Sequence, residues 1–539
     1  MKIVLSQLNY HIGDLAGNYA KIELAVEQAI AQKADLIIFS ELAICGYPPR
    51  DMLDYPGFMD NVESYLRQIA QLSQRIGILI GSPTRTNLQH GKYLYNSALF
   101  FSEGKQVFQV NKTLLPTYDI FDEARYFESN STFELFEFQG EKIAIAICED
   151  IWNTSNQLYN LHPIEELAKL KSDHLIVISA SPFDYTQMEN RKDLLSQIAI
   201  KMQQPVYYIN QVGSYTDIIF DGGSMVFNGA GVLIHQLKSF EEDQLSIDSI
   251  GTKAVEDRSR DKIALIHDAL VLGIKDYFNK LNFRKAVVGL SGGIDSAVIG
   301  ILAQRALGSE NVFFVLMPSK YSSDHSIADA EELANNIKAE YITIGIQDIV
   351  DSFEKSLDPL FNGLPINLAE ENIQARARGV LLMGISNKFG HILLNTSNKS
   401  EMSVGYSTLY GDMCGGLSAL GDIYKEEVYA LARYMNKDSE VIPENIITKA
   451  PSAELRPDQK DADSLPDYDI LDHILYQYID ERKTKAEIIA NGMDADLVER
   501  IINLVNNSEY KRYQSPPVLK VSTKAFGYGR RMPIVAKYD

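Results

Sequence analysis

Three side chains spread through the first half of the 539-residue sequence could together break an amide bond. Glu41 closes the apolar run DLIIFSE, Lys112 stands in VNKTLLP, and Cys148 ends the run KIAIAI ahead of Glu149-Asp150-Ile151-Trp152. A carboxylate can take a thiol proton, and a lysine ammonium can stabilise the oxyanion formed when sulfur attacks a carbonyl. A cysteine at a strand end, where the chain turns, can also have its pKa lowered by backbone N–H groups. Free buried cysteine is a common core residue. Cys148 alone therefore favours packing, and Glu41 and Lys112 turn the reading towards chemistry.

The second half carries a different constellation. Ser291-Gly292-Gly293-Ile294-Asp295-Ser296 follows the apolar strand Lys285–Leu290, and a helix is expected from Ala297. Two glycines let the backbone approach a polyanion, and a helix N-terminus offers free N–H groups and a positive dipole end. The hydroxyls of Ser291 and Ser296 add donors, and Asp295 could hold Mg²⁺ against phosphates. No GK[ST] follows, so this is not a Walker A loop. The plainer alternative is a tight strand-to-helix turn capped by Ser and Asp.

These residues need elements to position them. In the first half IVLSQL, DLIIFSE, IGILIGSP, SALFF, KIAIAICE, HLIVISAS, PVYYINQ and GGSMVF read as strands, and residues 18–33 have helical spacing. Strands with long crossovers predict a layered α/β sandwich. The apolar pattern weakens from Phe240 to about Asp261, which sets a first domain at 1–250, a linker at 251–261 and a second domain at 262–539. The second half opens on a helix at 262–281. KAVVGL, NVFFVLMPS, EYITIGI and HILLNTSN then alternate with helices, which predicts a doubly wound parallel sheet. RPDQKDADSLPDYD, residues 456–469, is polar and Pro-broken and reads as a mobile loop.

Composition narrows the class. Hydrophobic residues at 45% and charged residues at 23% are ordinary for a globular chain, and a net charge of −21 lacks the positive field that nucleic acid binding needs. Small-molecule substrates are expected, with no nucleic acid and no membrane. Cys45, Cys148 and Cys414 form no CxxC pair, which suits a reducing cytoplasm. Cys45 reads as packing or pocket lining, and no His/Cys spacing suggests zinc.

SELAICGYPPRD, NKTLLPTYDIFDEARYF and ICEDIW resemble, in order and spacing, the Glu, Lys and Cys blocks of the nitrilase-type carbon–nitrogen hydrolases, over roughly residues 1–250. The resemblance implies a four-layer α/β sandwich with Glu41 as base, Lys112 as oxyanion donor, Cys148 as nucleophile and Glu123 as an auxiliary glutamate. Tyr118, Glu149 and Ser181 would recognise the head of a glutamine substrate. Gln187 stands where that family pattern expects a basic residue for the substrate carboxylate, and Arg191 is the nearby alternative.

SGGIDS resembles the loop of the ATP pyrophosphatases. MPSKYSSDHSIADA, EENIQARARG and NTSNKSEMSVGYSTLYGDMCGG are similar to segments of the NAD⁺ synthetases, across most of 260–539. This implies Ser291, Gly292, Gly293, Asp295, Ser296, Thr396, Lys425 and Ser452 at ATP. It further implies Asn372, Arg376, Arg378 and Asp412 at the deamido-NAD⁺ substrate, and Asp295 with Glu401 as Mg²⁺ carboxylates. Spaced i, i+2, Arg376 and Arg378 do not share a helix face. Together the halves imply a glutamine-dependent NAD⁺ synthetase family: one releases ammonia, the other adenylates a carboxylate for it. A homodimer or larger homo-oligomer through the second domain goes with that family. Another glutamine-dependent amidating synthetase of the same loop family is the alternative.

Overall fold

Residues with alternating β-branched side chains need two apolar faces to bury, and the first half supplies four layers that do so. The structure is a computed structural model describing residues 1–153, 158–248, 250–255, 260–457 and 459–538. It divides into two units, Met1–Ser259 and Arg260–Asp539. Of the expected linker, residues 256–259 lie outside the described residues, as does residue 458 of the expected loop.

In the first unit one six-stranded sheet runs Asp243–Ile247, Ile3–Gln7, Leu36–Ile38, Gly77–Arg85, Leu94–Ser102, Lys105–Asn111. The other runs Leu233–Gln236, Met225–Phe227, Val206–Asn210, His174–Ser179, Glu141–Ile147, Phe136–Phe138. Ile3, Leu5, Ile38 and Leu79 of the first sheet pack against Ile143, Ile145, Ile178 and Ile209 of the second. The opposite faces bury helices. Ile22 and Val26 of helix Leu15–Ala31 share a core with Val4 and Ile37, while Leu195 and Ile198 of helix Gln187–Met202 share one with Ala144 and Val177. The result is the expected helix–sheet–sheet–helix sandwich.

The weak apolar pattern after Phe240 hides a strand: Asp243–Ile247 pairs antiparallel with Ile3–Gln7. Its side chains are half-buried at the sheet edge, which is why the pattern fades.

The second unit carries a five-stranded parallel sheet in the order Glu340–Thr343, Val312–Leu316, Ala286–Gly289, Ile392–Asn395, Leu417–Ser418. Leu382 of helix Leu368–Phe389 packs on Val287, Val315 and Leu393. Helix Ile294–Leu307 approaches the ring of Phe314 at Gly300, where an added Cβ would lie 2.9 Å from the ring. Neighbouring residues 314 and 315 face opposite sides of a strand, so the sheet is covered on both faces. Strand order reverses between Ala286–Gly289 and Ile392–Asn395, and ligand crevices in such sheets open at that switch point.

The polar stretch 456–469 is more ordered than its composition suggests. It contains a 3₁₀ turn, Asp461–Asp463, and the start of helix Tyr468–Leu475. The hydroxyls of Tyr406 and Tyr468 both donate to the Asp461 carboxylate and hold the turn down. No helix among the described residues is long and apolar enough to cross a membrane.

Candidate active sites

Strand Glu141–Ile147 runs directly into the 3₁₀ turn Cys148–Ile151. Cys148 takes a left-handed backbone at φ +43°, a strained conformation for a non-glycine residue. Asp150 anchors the turn by accepting the N–H groups of Ile147 at 3.1 Å, Thr113 at 3.0 Å and Leu114 at 2.8 Å. Those bonds tie the cysteine turn to the segment following Lys112.

Glu41 is fully buried in the turn three residues beyond strand Leu36–Ile38, where Leu42 also adopts a left-handed backbone. One carboxylate oxygen accepts from Lys112 Nζ and from Asn96 Nδ2, both at 2.7 Å, and the other from the Ala180 N–H at 2.9 Å. Lys112 Nζ also donates to Glu123 at 2.8 Å, and Glu123 accepts from the Tyr47 hydroxyl at 2.8 Å. Glu41, Lys112 and Glu123 thus form one buried chain of charges.

Burial pulls the Lys112 ammonium down, but Glu123, Glu41 and Cys148 outweigh it and hold it well above the usual lysine range. Burial raises Glu123 to about 7 against the pull of Lys112, with the Glu41 charge adding to the rise. The thiol of Cys148 is pushed well up by burial and then by Glu41, with Lys112 opposing. A thiol in that state is neutral at rest and needs a base beside it, which Glu41 can be.

Glu149 follows Cys148 in the same turn and is 4% exposed. It accepts from the Tyr118 hydroxyl at 2.9 and 3.0 Å and from Tyr159 at 3.1 Å, and burial raises its pKa. The Ser181 N–H donates to Asn210 Oδ1 at 2.9 Å, one residue beyond the Ala180 N–H that holds Glu41. Gln187 begins the helix Gln187–Met202. Arg191, one turn later, is fully buried and spans both oxygens of Asp221 at 2.5 and 2.6 Å. Its Nε faces the Gln187 carbonyl, so Arg191 is spent on structure.

The second unit holds a cavity of about 640 Å³ at the switch point of its sheet. Gly292 has φ +77°, and a Cβ there would sit 2.2 Å from the Ser326 carbonyl oxygen, so the loop admits only glycine. Gly293 precedes helix Ile294–Leu307, and Ser296 Oγ closes the turn on the Gly293 carbonyl at 2.9 Å. Asp295, Thr396, Arg378, Glu401, Asp412, Lys425 and Ser452 all line the cavity with Ser291, Gly293 and Ser296.

Lys425 Nζ lies 2.5 Å from Asp295 and 3.5 Å from Glu401, so both carboxylates converge on one point. Asn398 links them, donating to Asp295 at 2.9 Å and accepting the Glu401 N–H at 2.9 Å. Enclosure and the Asp295 charge push Glu401 up to about 8, with Lys425 opposing. Two oxygen donors converging in this way fit a hard divalent cation.

Arg378 is turned inwards, donating to the Met317 carbonyl at 3.1 Å, and burial lowers it to about 10. Arg376 is exposed, and its Nε donates to the Leu409 carbonyl. Asn372 accepts from Thr408 Oγ1 at 2.6 Å. Arg376, Asn372 and Gly292 are not among the residues lining the cavity.

Comparison with known proteins finds a family match in each half of the chain. The carbon-nitrogen hydrolase family matches residues 2–258 and the NAD synthase family residues 266–515. The chain is 44% identical over 551 residues to the glutamine-dependent NAD(+) synthetase of Synechocystis sp., with 99% of each chain covered. It is 42% identical over 541 residues to that of Acinetobacter baylyi, covering 99% of this chain and 98% of the relative. The chain belongs to the glutamine-dependent NAD(+) synthetase family.

A solved member of that family from Acinetobacter baumannii, in complex with adenosine diphosphate, is 40% identical with a TM-score of 0.76 over 99% of this chain and 98% of that one. The Cytophaga hutchinsonii structure has a TM-score of 0.85 at 19% identity, covering 99% and 98%, a likeness of fold alone.

Within this synthetase-family chain, sequence reasoning missed Asn96, Asp150 and Asn398, which hold the charged residues in place. The one signal for Asn398 was its position three residues before Glu401, a capping spacing. Asn96 and Asp150 give no sequence signal, because a polar residue in or beside a strand is usually solvent-facing.

Proposed function

We propose that the first unit hydrolyses glutamine and that the second uses the ammonia to convert deamido-NAD⁺ to NAD⁺ with ATP. The observation that carries the first step is the buried Glu41–Lys112–Glu123 chain beside a strained Cys148. Glu41 takes the thiol proton as sulfur bonds to the side-chain carbonyl carbon, and Lys112 balances the charge on oxygen. The proton then goes to the departing nitrogen as the carbon–nitrogen bond breaks, leaving ammonia and a thioester. Water, deprotonated by Glu41, opens the thioester to glutamate and restores the thiol. Glu123 keeps Lys112 aimed at the oxyanion, while Tyr118, Glu149 and Ser181 hold the amino-acid head.

In the second unit Ser291, Gly292, Gly293, Ser296, Thr396 and Ser452 cradle ATP. Arg378 and Asp412 bind deamido-NAD⁺ from the cavity side, with Asn372 and Arg376 supporting the adjoining loop. Asp295 and Glu401 would hold Mg²⁺, which supplies charge neutralisation at the phosphates. Lys425, seated between them, shifts towards phosphate oxygens when ATP arrives. Adenylation turns the nicotinate carboxylate into an electrophile, and ammonia displaces AMP.

We assign the domains as 1–250 and 262–539 and a reducing, cytoplasmic setting, which three free cysteines support. Exposed Leu364, Ile366, Val380 and Phe389, on and just before helix Leu368–Phe389, support a homo-oligomer through the second domain.

The nucleotide products test the reading. With deamido-NAD⁺, Mg-ATP and ammonium chloride, AMP and pyrophosphate should appear in step with NAD⁺. ADP and phosphate as products would refute the adenylation.

A further inference from the structure

Lys399 stands two residues before Glu401, and its ammonium takes part in neither proposed reaction. It is fully buried. Nζ lies 3.0 Å from Asp422 and 3.1 Å from each oxygen of Asp480, and it donates to Ser522 Oγ at 3.0 Å and to the Lys524 carbonyl at 2.9 Å. The Tyr424 ring centre is 4.7 Å away, and its hydroxyl donates to Asp480 at 2.7 Å. Asp422 also accepts the N–H groups of Val521 and Ser522, at 2.8 and 2.7 Å. Burial opposes the charged form of Lys399, but Asp422 and Asp480 outweigh it and hold the ammonium above the usual lysine range. Segments 422–424 and 521–524 and the side chain of Asp480, distant in sequence, therefore meet on one ammonium.

The helix that begins at Lys399 needs such anchors. Lys399–Val404 has six residues, too few to hold a helix in water unaided. Its far end is held from the same part of the chain, where Arg512 Nη1 donates to the Met402 and Ser403 carbonyls at 3.2 and 2.7 Å. Glu509 accepts from Arg512 at 2.6 Å and from Arg530 at 2.7 Å, and the Phe526 ring centre lies 5.0 and 5.9 Å from the two guanidinium carbons. Glu401 sits between the two anchors and lines the cavity, whereas Lys399, Asp422, Asp480, Ser522 and Lys524 do not.

Resting on the adenylation reading above, we propose that Lys399 is a positioning residue for that step: its ammonium fixes the helix that aims Glu401 at the phosphate-bound cation. Segment 521–524, outside the cavity, thereby acts on the second site. Removing the ammonium leaves Asp422 and Asp480 buried without their counter-ion, and the helix between them must give way. Asp295 belongs to a different helix, Ile294–Leu307, so the two cation-facing carboxylates then part.

Calorimetric ATP binding to the full chain, in Mg²⁺ and in EDTA, reads this apart from turnover. The parent should bind ATP more tightly in Mg²⁺, and Lys399→Met should shrink that gain by about 10-fold or more while leaving the affinity in EDTA unchanged. Glu401→Gln should lose the same gain, and adding Lys399→Met to it should change nothing further, because the lysine acts through the glutamate. Ser522→Ala keeps every charge and should lower the gain about threefold, which decides the matter if Lys399→Met does not fold. An unchanged gain, equal weakening in EDTA, or a further loss on top of Glu401→Gln would overturn the proposal. A parent whose ATP affinity ignores Mg²⁺ would overturn the cation reading of Asp295 and Glu401, and the proposal with it.

Discussion

At the scale of single residues, the first site is a study in one cation serving two carboxylates. Glu123 stands at about 7 in the folded chain because burial outweighs Lys112, against about 4.3 for an ordinary glutamate. Between those values the folded chain binds a proton that the unfolded chain has lost. The stability this contributes is complete below about 4.3 and is lost as pH rises through 7. Glu123→Gln cannot ionise, so its melting temperature relative to the parent should climb from pH 5 to pH 8. A difference that stays flat across that range would contradict the raised value. Glu41, Lys112 and Cys148 stood out by residue type and by the order of their blocks along the chain, and the fold bonds Glu41 directly to Lys112. Asn96 and Asp150 were not, because their value lies in which distant groups the fold brings to them.

Elements position these groups through backbone that side chains cannot follow. A Cβ on Gly81 would lie 2.4 Å from the Leu42 nitrogen and 2.5 Å from the Glu41 Cα. One on Gly292 would lie 2.2 Å from the Ser326 carbonyl oxygen. Gly81→Ala should therefore shift Glu41 and slow glutamine-dependent synthesis by about 100-fold while sparing the ammonia-dependent reaction. Gly292→Ala should slow both by a similar factor. Equal losses in the two variants, on both nitrogen sources, would show that neither glycine acts locally. The buried strands and long helices were readable from periodicity, since each buries a full apolar stripe. Strand Asp243–Ile247 was not, because an edge strand alternates weakly. The turn at Asp461 was missed because the hydroxyls of nearby Tyr468 and of Tyr406, 55 residues away in sequence, hold it rather than its own apolar side chains.

For the whole molecule, the two halves explain one another. An amide-cleaving site and an adenylating site on one chain make sense only if the first supplies nitrogen to the second, and the family to which the chain belongs carries both. The sequence already held that pairing, because each half keeps its motifs in order along its length. The measurement that tests it most directly is NAD⁺ formation from deamido-NAD⁺ and Mg-ATP, with glutamine or ammonium chloride as nitrogen source, in the parent chain, Cys148→Ala and Asp295→Ala. The parent should use both sources, Cys148→Ala ammonia alone, and Asp295→Ala neither. Full glutamine-dependent synthesis by Cys148→Ala, or no NAD⁺ from the parent with either source, would contradict the account.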